Sequence, residues 1–127
     1  SKEVGISLVR KGKEGADEIE AMMKNFRNNP LTQIAGSNVI LLKDFATLET
    51  KDFENNETIS LAMPTTSNVL QYYTQDGTKL SIRPSGTEPK IKFYIEVKGK
   101  ADSREALKQA EESAEMKVQL IREELSI

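Results

Sequence analysis

The sequence predicts an α+β fold: a mostly antiparallel β-sheet with two helices packed on one face. Three observations predict it. Several short segments alternate apolar and polar residues at the period of a half-buried strand. Two longer segments repeat apolar residues at steps of three and four. Turn residues close a tight hairpin between two of the strands, the connection that antiparallel pairing needs. At 127 residues the chain has room for one domain with a real core.

Val4, Ile6 and Leu8 alternate with small or polar residues, so residues 4–10 read as a strand. Lys11-Gly-Lys-Glu-Gly15 then reads as a polar, flexible connection. Ile19, Met22, Met23 and Phe26 carry helical spacing, with Asp17, Glu18 and Glu20 placed in the expected first turn, where the helix dipole favours anions. Asn28-Asn29-Pro30 ends that helix, and residues 38–44 form the next strand. Residues 46–66 are polar and weakly patterned. They read as a long surface excursion, with residues 59–63 as its candidate contact to the body.

Residues 70–74 form a strand, and Gln75-Asp76-Gly77 is a hairpin turn. The partner strand over 79–83 sets Leu80 and Ile82 on one face and Lys79, Ser81 and Arg83 on the other. After a short connection, Ile91, Phe93, Ile95 and Val97 alternate with Lys92, Tyr94 and Glu96. Residues 99–102 break the pattern. A helix then runs over about 103–125, with Leu107, Ala110, Ala114, Val118, Ile121 and Leu125 on one stripe. Standing alone it would suit a coiled-coil arm; strands that each need one face covered favour packing it on the sheet.

Composition restricts the chemistry. Cys and His are both absent, which removes disulfides, thiolate nucleophiles, imidazole bases and the usual transition-metal sites. A net charge of −2, no Trp, three Tyr and four Phe argue against nucleic acid as a partner. No apolar run approaches the roughly 18 residues of a membrane span, and no export signal is visible. A cytoplasmic location is the default expectation. The chain opens on Ser1-Lys2, without Met, directly into a strand pattern, as a piece of a longer protein would.

The most informative stretch is Arg83-Pro-Ser-Gly-Thr-Glu-Pro89. If the flanking strands pair as a hairpin, Arg83 and Lys92 flank one connection on the face away from the core. Ser85 and Thr87 offer hydroxyls there, and Gly86 permits the positive φ of an anion-binding nest. Pro84 and Pro89 stiffen the two ends. From 79 to 100, Lys79, Arg83, Lys90, Lys92, Lys98 and Lys100 stand against Glu88 and Glu96, a local balance of +4 in a chain of −2. A guanidinium, ammoniums, hydroxyls and amides converging together suit a phosphate. Ordinary turns also contain Pro, Ser, Gly and Thr, so the residues alone leave both readings open.

This motif, with Lys92 and the Phe-Tyr-Ile-Glu-Val strand, resembles the C-terminal domain of the α-D-phosphohexomutase family. Asn68-Val-Leu-Gln-Tyr-Tyr-Thr-Gln-Asp-Gly77 and Lys11-Gly-Lys-Glu-Gly15 resemble its phosphoglucomutase/phosphomannomutase branch. The resemblance implies a TATA-box-binding-protein-like fourth domain of an enzyme that interconverts hexose 1-phosphates and 6-phosphates through a bisphosphorylated sugar. It implies that Arg83, Ser85, Gly86, Thr87 and Lys92 bind the substrate's non-reacting phosphate, with Glu88 and Lys90 as secondary candidates. Lys92 stands where relatives often carry Arg. Glu88 either braces Arg83 or contacts sugar hydroxyls, and bracing is the favoured reading. The nucleophilic phosphoserine and the Mg²⁺ loop belong to other domains of such an enzyme, so this chain has no catalytic or metal residues and is expected to be inactive alone. A glucose 1,6-bisphosphate-type activator and Mg²⁺ are implied for the whole enzyme. The expected partners are a hexose phosphate and the enzyme's N-terminal domains. The rival classes are a stand-alone phosphate- or phosphopeptide-binding module, a phosphoglucosamine mutase domain, and an interaction domain that works through its long helix.

Overall fold

The computed structural model describes residues 1–99 and 103–127. The elements are β1 (Lys2–Val9), α1 (Gly12–Asn28), β2 (Gln33–Ile34), β3 (Ser37–Asp44), β4 (Glu49–Asp52), β5 (Glu57–Ser60), β6 (Leu70–Thr74), β7 (Lys79–Pro84), β8 (Lys90–Val97) and α2 (Arg104–Leu125). The main sheet runs β1-β8-β7-β6-β3-β4-β5, with β2 paired to β3, and every pairing is antiparallel. No helix among the described residues is long and apolar enough to cross a membrane.

Both helices lie on the same face of the sheet. Alternation in the central strands sends Leu80, Ile82, Ile91, Phe93 and Ile95 into a layer with no exposed surface. Ile19 and Met23 of α1 and Ala114, Val118 and Ile121 of α2 complete it. Phe26 meets Phe93 edge-to-face, ring centres 6.0 Å apart. The end of α1 is fixed by polar contacts. Arg27 pairs with the buried Asp44 (2.8 Å) and donates to Asn68 (2.7 Å). The Tyr72 hydroxyl donates to the Phe26 carbonyl, and burial pushes its pKa up to about 12. Ser103 caps α2, its hydroxyl oxygen accepting from the Ala106 N–H at 3.0 Å.

Residues 46–66 correct the expected surface excursion, because they include the β4–β5 hairpin that extends the sheet. Both strands are four residues long, and all of β5 is exposed at the sheet edge, so no apolar alternation marks them. Their turn was written in Asp52, whose carboxylate accepts from the N–H groups of Glu54 (3.0 Å) and Asn55 (3.1 Å). Within residues 59–63, Ile59 and Met63 are exposed and do not bury against the body.

The Lys11-to-Gly15 connection is the first turn of α1, which puts Glu14 in that turn instead of the acids further on. No side chain caps this start, so the usual sequence signal is missing. Gly15 serves close approach instead of flexibility: a Cβ there would lie 2.7 Å from Arg10 Cβ and 2.8 Å from its carbonyl carbon. The two-residue β2 also escaped prediction. It turns into β3 through Ala35 and Gly36, both at positive φ (49° and 77°). The 99–102 break expected before α2 falls partly on residues 100–102, which lie outside the described residues.

Candidate functional site

The face opposite the helices is bare, and the candidate loop opens onto it. Ile82, Ile91 and Phe93 are buried, so alternation turns Arg83, Lys92 and Tyr94 outward. The register sets Arg83 directly opposite Lys92, with Pro84 opposite Ile91. Like charges directly opposed across antiparallel strands repel each other. Among the described residues neither side chain forms an ion pair. That arrangement costs free energy in the chain by itself.

The connection from 84 to 89 is held from inside and from behind. The Ser85 N–H donates to the Lys90 carbonyl (2.8 Å), and the Lys90 N–H donates to the Glu88 carbonyl (2.8 Å). The Ser85 hydroxyl oxygen accepts from the N–H groups of Thr87 (3.4 Å) and Glu88 (3.3 Å). Its hydroxyl proton remains available to a ligand, and accepting from two amides strengthens it as a donor. The Pro89 carbonyl accepts from the Arg10 N–H (2.8 Å), and Arg10 pairs with Glu18 of α1 (2.9 Å). A backbone contact between Arg10 and Pro89, so far apart in the sequence, leaves no local signal, so this anchor was invisible beforehand.

Arg83, Ser85, Thr87, Lys90, Lys92 and Tyr94 line one hollow of about 400 Å³, together with Gly86 and Glu88. All the residues named from the sequence are therefore brought together. Two details differ. Gly86 does not adopt positive φ, which among the described glycines occurs at Gly12, Gly36 and Gly77, so the expected nest is not formed. Nothing in the fold lies within 4 Å of a Cβ placed at Gly86. Glu88 also makes no ion pair with Arg83 among the described residues; its backbone N–H, not its carboxylate, braces the loop. Sequence reasoning had not assigned Tyr94 to the site, although its place two residues after Lys92 put it on the same face.

A larger hollow of about 510 Å³ lies behind the loop, between it and α1. Ile19 and Met23 form its floor, and its cations are already engaged: Lys24 with Glu20 (3.6 Å) and Arg27 with Asp44 (2.8 Å). Size therefore points to one side of the loop and unpaired positive charge to the other. For an anion the charge decides, because Coulomb attraction to a cation already matched by a carboxylate largely cancels. Among the described residues no cluster of three or more Asp or Glu side chains is placed to hold a metal ion.

Comparison with known proteins gives a consistent result. Residues 6–116 match the family described as phosphoglucomutase/phosphomannomutase, C-terminal domain. A phosphoglucomutase from Staphylococcus epidermidis is 39% identical over 84 residues, which is 66% of this chain and 15% of that protein. One from Staphylococcus haemolyticus is 39% identical over 90 residues, 71% of this chain and 16% of that protein. One from Staphylococcus aureus is 39% identical over 87 residues, covering 68% and 15%. The chain thus spans about 15% of the length of these relatives.

Proposed function

The chain belongs to the phosphoglucomutase/phosphomannomutase C-terminal domain family, and on that premise we propose that it is the substrate-phosphate-binding part of a phosphohexomutase. The reaction would interconvert hexose 1-phosphate and hexose 6-phosphate through a bisphosphorylated sugar. The observation that carries this reading is the opposition of Arg83 and Lys92, unpaired, at the mouth of a loop bearing two hydroxyls.

Arg83 supplies a planar fork of donors to two phosphate oxygens, and Lys92 and Lys90 supply point charges that adjust to the ligand. The hydroxyls of Ser85 and Thr87 and the N–H of Gly86 donate to the remaining lone pairs. None of these groups reads the sugar carbon that bears the phosphate. The same cradle therefore accepts a phosphate at C1 or at C6, as an intermediate that turns over between two half-reactions requires. The contribution is binding energy and orientation. Among the described residues no side chain, Glu88 included, accepts the Ser85 hydroxyl proton, so Ser85 acts as a donor and not as a nucleophile.

The remaining parts of this reading lie outside the chain. The phosphorylated nucleophile, a Mg²⁺ site and the response to a hexose 1,6-bisphosphate activator are assigned to other segments of a longer polypeptide, the chain's principal partner. The chain alone is expected to show no mutase turnover.

Amide-resolved NMR titration with inorganic phosphate at low salt tests the reading. Saturable shifts at Ser85, Gly86, Thr87 and Lys92, with millimolar affinity and lost in Arg83→Ala, are the expected result. Silence of the loop at high millimolar phosphate would remove it. Micromolar affinity for a phosphopeptide would favour a module that works on its own.

A further inference from the structure

Tyr94 has no role in phosphate binding as argued above, yet it completes the wall of the same hollow. An aromatic residue on an interior strand of a sheet is ordinarily covered. This one is 39% exposed. Its cross-strand neighbours give the reason: Gly5 on β1 and Ser81 on β7 are both too short to screen the ring. The ring leans towards the glycine, where a Cβ would lie 3.5 Å from Cε1 and 3.6 Å from Cδ1.

The other two tyrosines show what is distinctive. Tyr72 is buried and donates its hydroxyl to Phe26. Tyr73 shares the bare face, but the ammoniums of Lys43 and Lys79 stand 4.9 Å and 5.6 Å from its ring centre, and its hydroxyl donates to Gln71. Tyr94 has neither a cation over its ring nor a hydroxyl partner among the described residues. Beside a phosphate cradle, an open ring face with a free hydroxyl has the chemistry to recognise what the phosphate is attached to. The C–H faces of a pyranose pack on an aromatic ring, and sugar hydroxyls exchange hydrogen bonds with a phenol.

We propose that Tyr94 contacts the sugar of a hexose phosphate whose phosphate is held by the 84–89 loop, and so makes this domain discriminate a sugar phosphate from a simple phosphate ester. The proposal rests on the phosphate-binding reading above. It gives the domain a share in substrate selection, where the loop by itself gives only anchoring.

The test is an NMR titration of the wild type, Tyr94→Ala and Tyr94→Phe with ethyl phosphate and with glucose 6-phosphate. The wild type should prefer the sugar phosphate by about fivefold, the scale of one aromatic contact. The ring signals of Tyr94 should move only with the sugar phosphate. Tyr94→Ala should equalise the two ligands without changing affinity for ethyl phosphate, and Tyr94→Phe should keep most of the preference. A wild type that does not distinguish the ligands overturns the proposal, as does a Tyr94→Ala that weakens both by one factor. In either case loop amides that still respond to ethyl phosphate leave the anchoring role standing. Loop amides silent to both ligands bring down the anchoring role and this proposal together.

Discussion

Strand β7 has a tight connection at each end, and the two dispose of their polar groups in opposite ways. At its start, the Asp76 carboxylate accepts from the hydroxyls of Thr74 (2.6 Å) and Thr78 (2.9 Å), from the Thr78 N–H (3.2 Å), and from Lys117 of α2. Every strong group there is matched within the fold. At its end, Arg83 faces Lys92 with neither in an ion pair among the described residues, and Thr87 lines the hollows on both sides of the loop. The first connection is complete as a piece of structure. The second leaves its two cations without an ion pair among the described residues, and that difference, more than turn composition, is what the proposed binding role rests on.

Exchanging which end is damaged should sharpen the contrast, and Asp76→Ala should have the largest effect. It strands the buried Thr74 and Thr78 groups and frees Lys117, at a cost of about 2 kcal/mol in stability. Urea denaturation measures the cost, and the phosphate response at the loop should be untouched. Arg83→Ala should do the converse. Phosphate affinity falls about tenfold or more, while the denaturation midpoint holds or rises slightly because a like-charge opposition has been relieved. A large stability loss in Arg83→Ala would show that the arginine is a structural group after all, and the comparison would collapse.

The glycines of the two connections offer a finer test. Gly77 sits at φ +88°, and a Cβ there would meet Lys98 Cδ at 3.1 Å, so Gly77→Ala should cost about 1–2 kcal/mol. Gly86 has neither a positive φ nor a neighbour within 4 Å. Gly86→Ala should therefore leave stability within about 0.5 kcal/mol of the wild type and weaken phosphate binding, because the added methyl meets only the ligand. Calorimetric unfolding beside phosphate titration separates the two outcomes. Equal phosphate affinity in Gly86→Ala would place the anion further from the loop backbone than the reading requires.

How much of this was legible beforehand follows the same division. The central strands announced themselves because one face is buried: Leu80, Ile82, Ile91, Phe93 and Ile95 must alternate with polar residues. That alternation also placed Arg83 and Lys92 together, since it dictates where the outward residues go. The β4–β5 hairpin buries only the polar Thr50 and no apolar side chain, so nothing imposes an apolar alternation and its residues read as a surface loop. The start of α1 lacks a capping side chain, and a glycine required by close packing was indistinguishable from one that confers flexibility. Tyr94 was placed on the correct face, but its role depends on how short Gly5 and Ser81 are. That is a fact of cross-strand register, which no local stretch encodes.

The most selective test isolates what charge alone contributes at the first connection. Burial alone would raise the pKa of Asp76, but hydrogen bonds from Lys117, Thr74 and Thr78 outweigh it and hold the carboxyl below its ordinary 3.8. A carboxylate depressed by folding contributes stability that is fully present above its unfolded pKa and is lost as the pH falls below that value. The stability gap between wild type and Asp76→Asn should therefore be open at pH 7 and narrow steadily once the pH passes below about 4. The same gap should shrink in Lys117→Ala at pH 7, since the strongest single donor to the carboxylate has gone. Urea midpoints measured from pH 7 down to pH 2.5 give both curves. A gap independent of pH would mean that the turn is held by its backbone and threonines alone, and the matched charge at this end of β7 would lose its part in the contrast with Arg83 and Lys92.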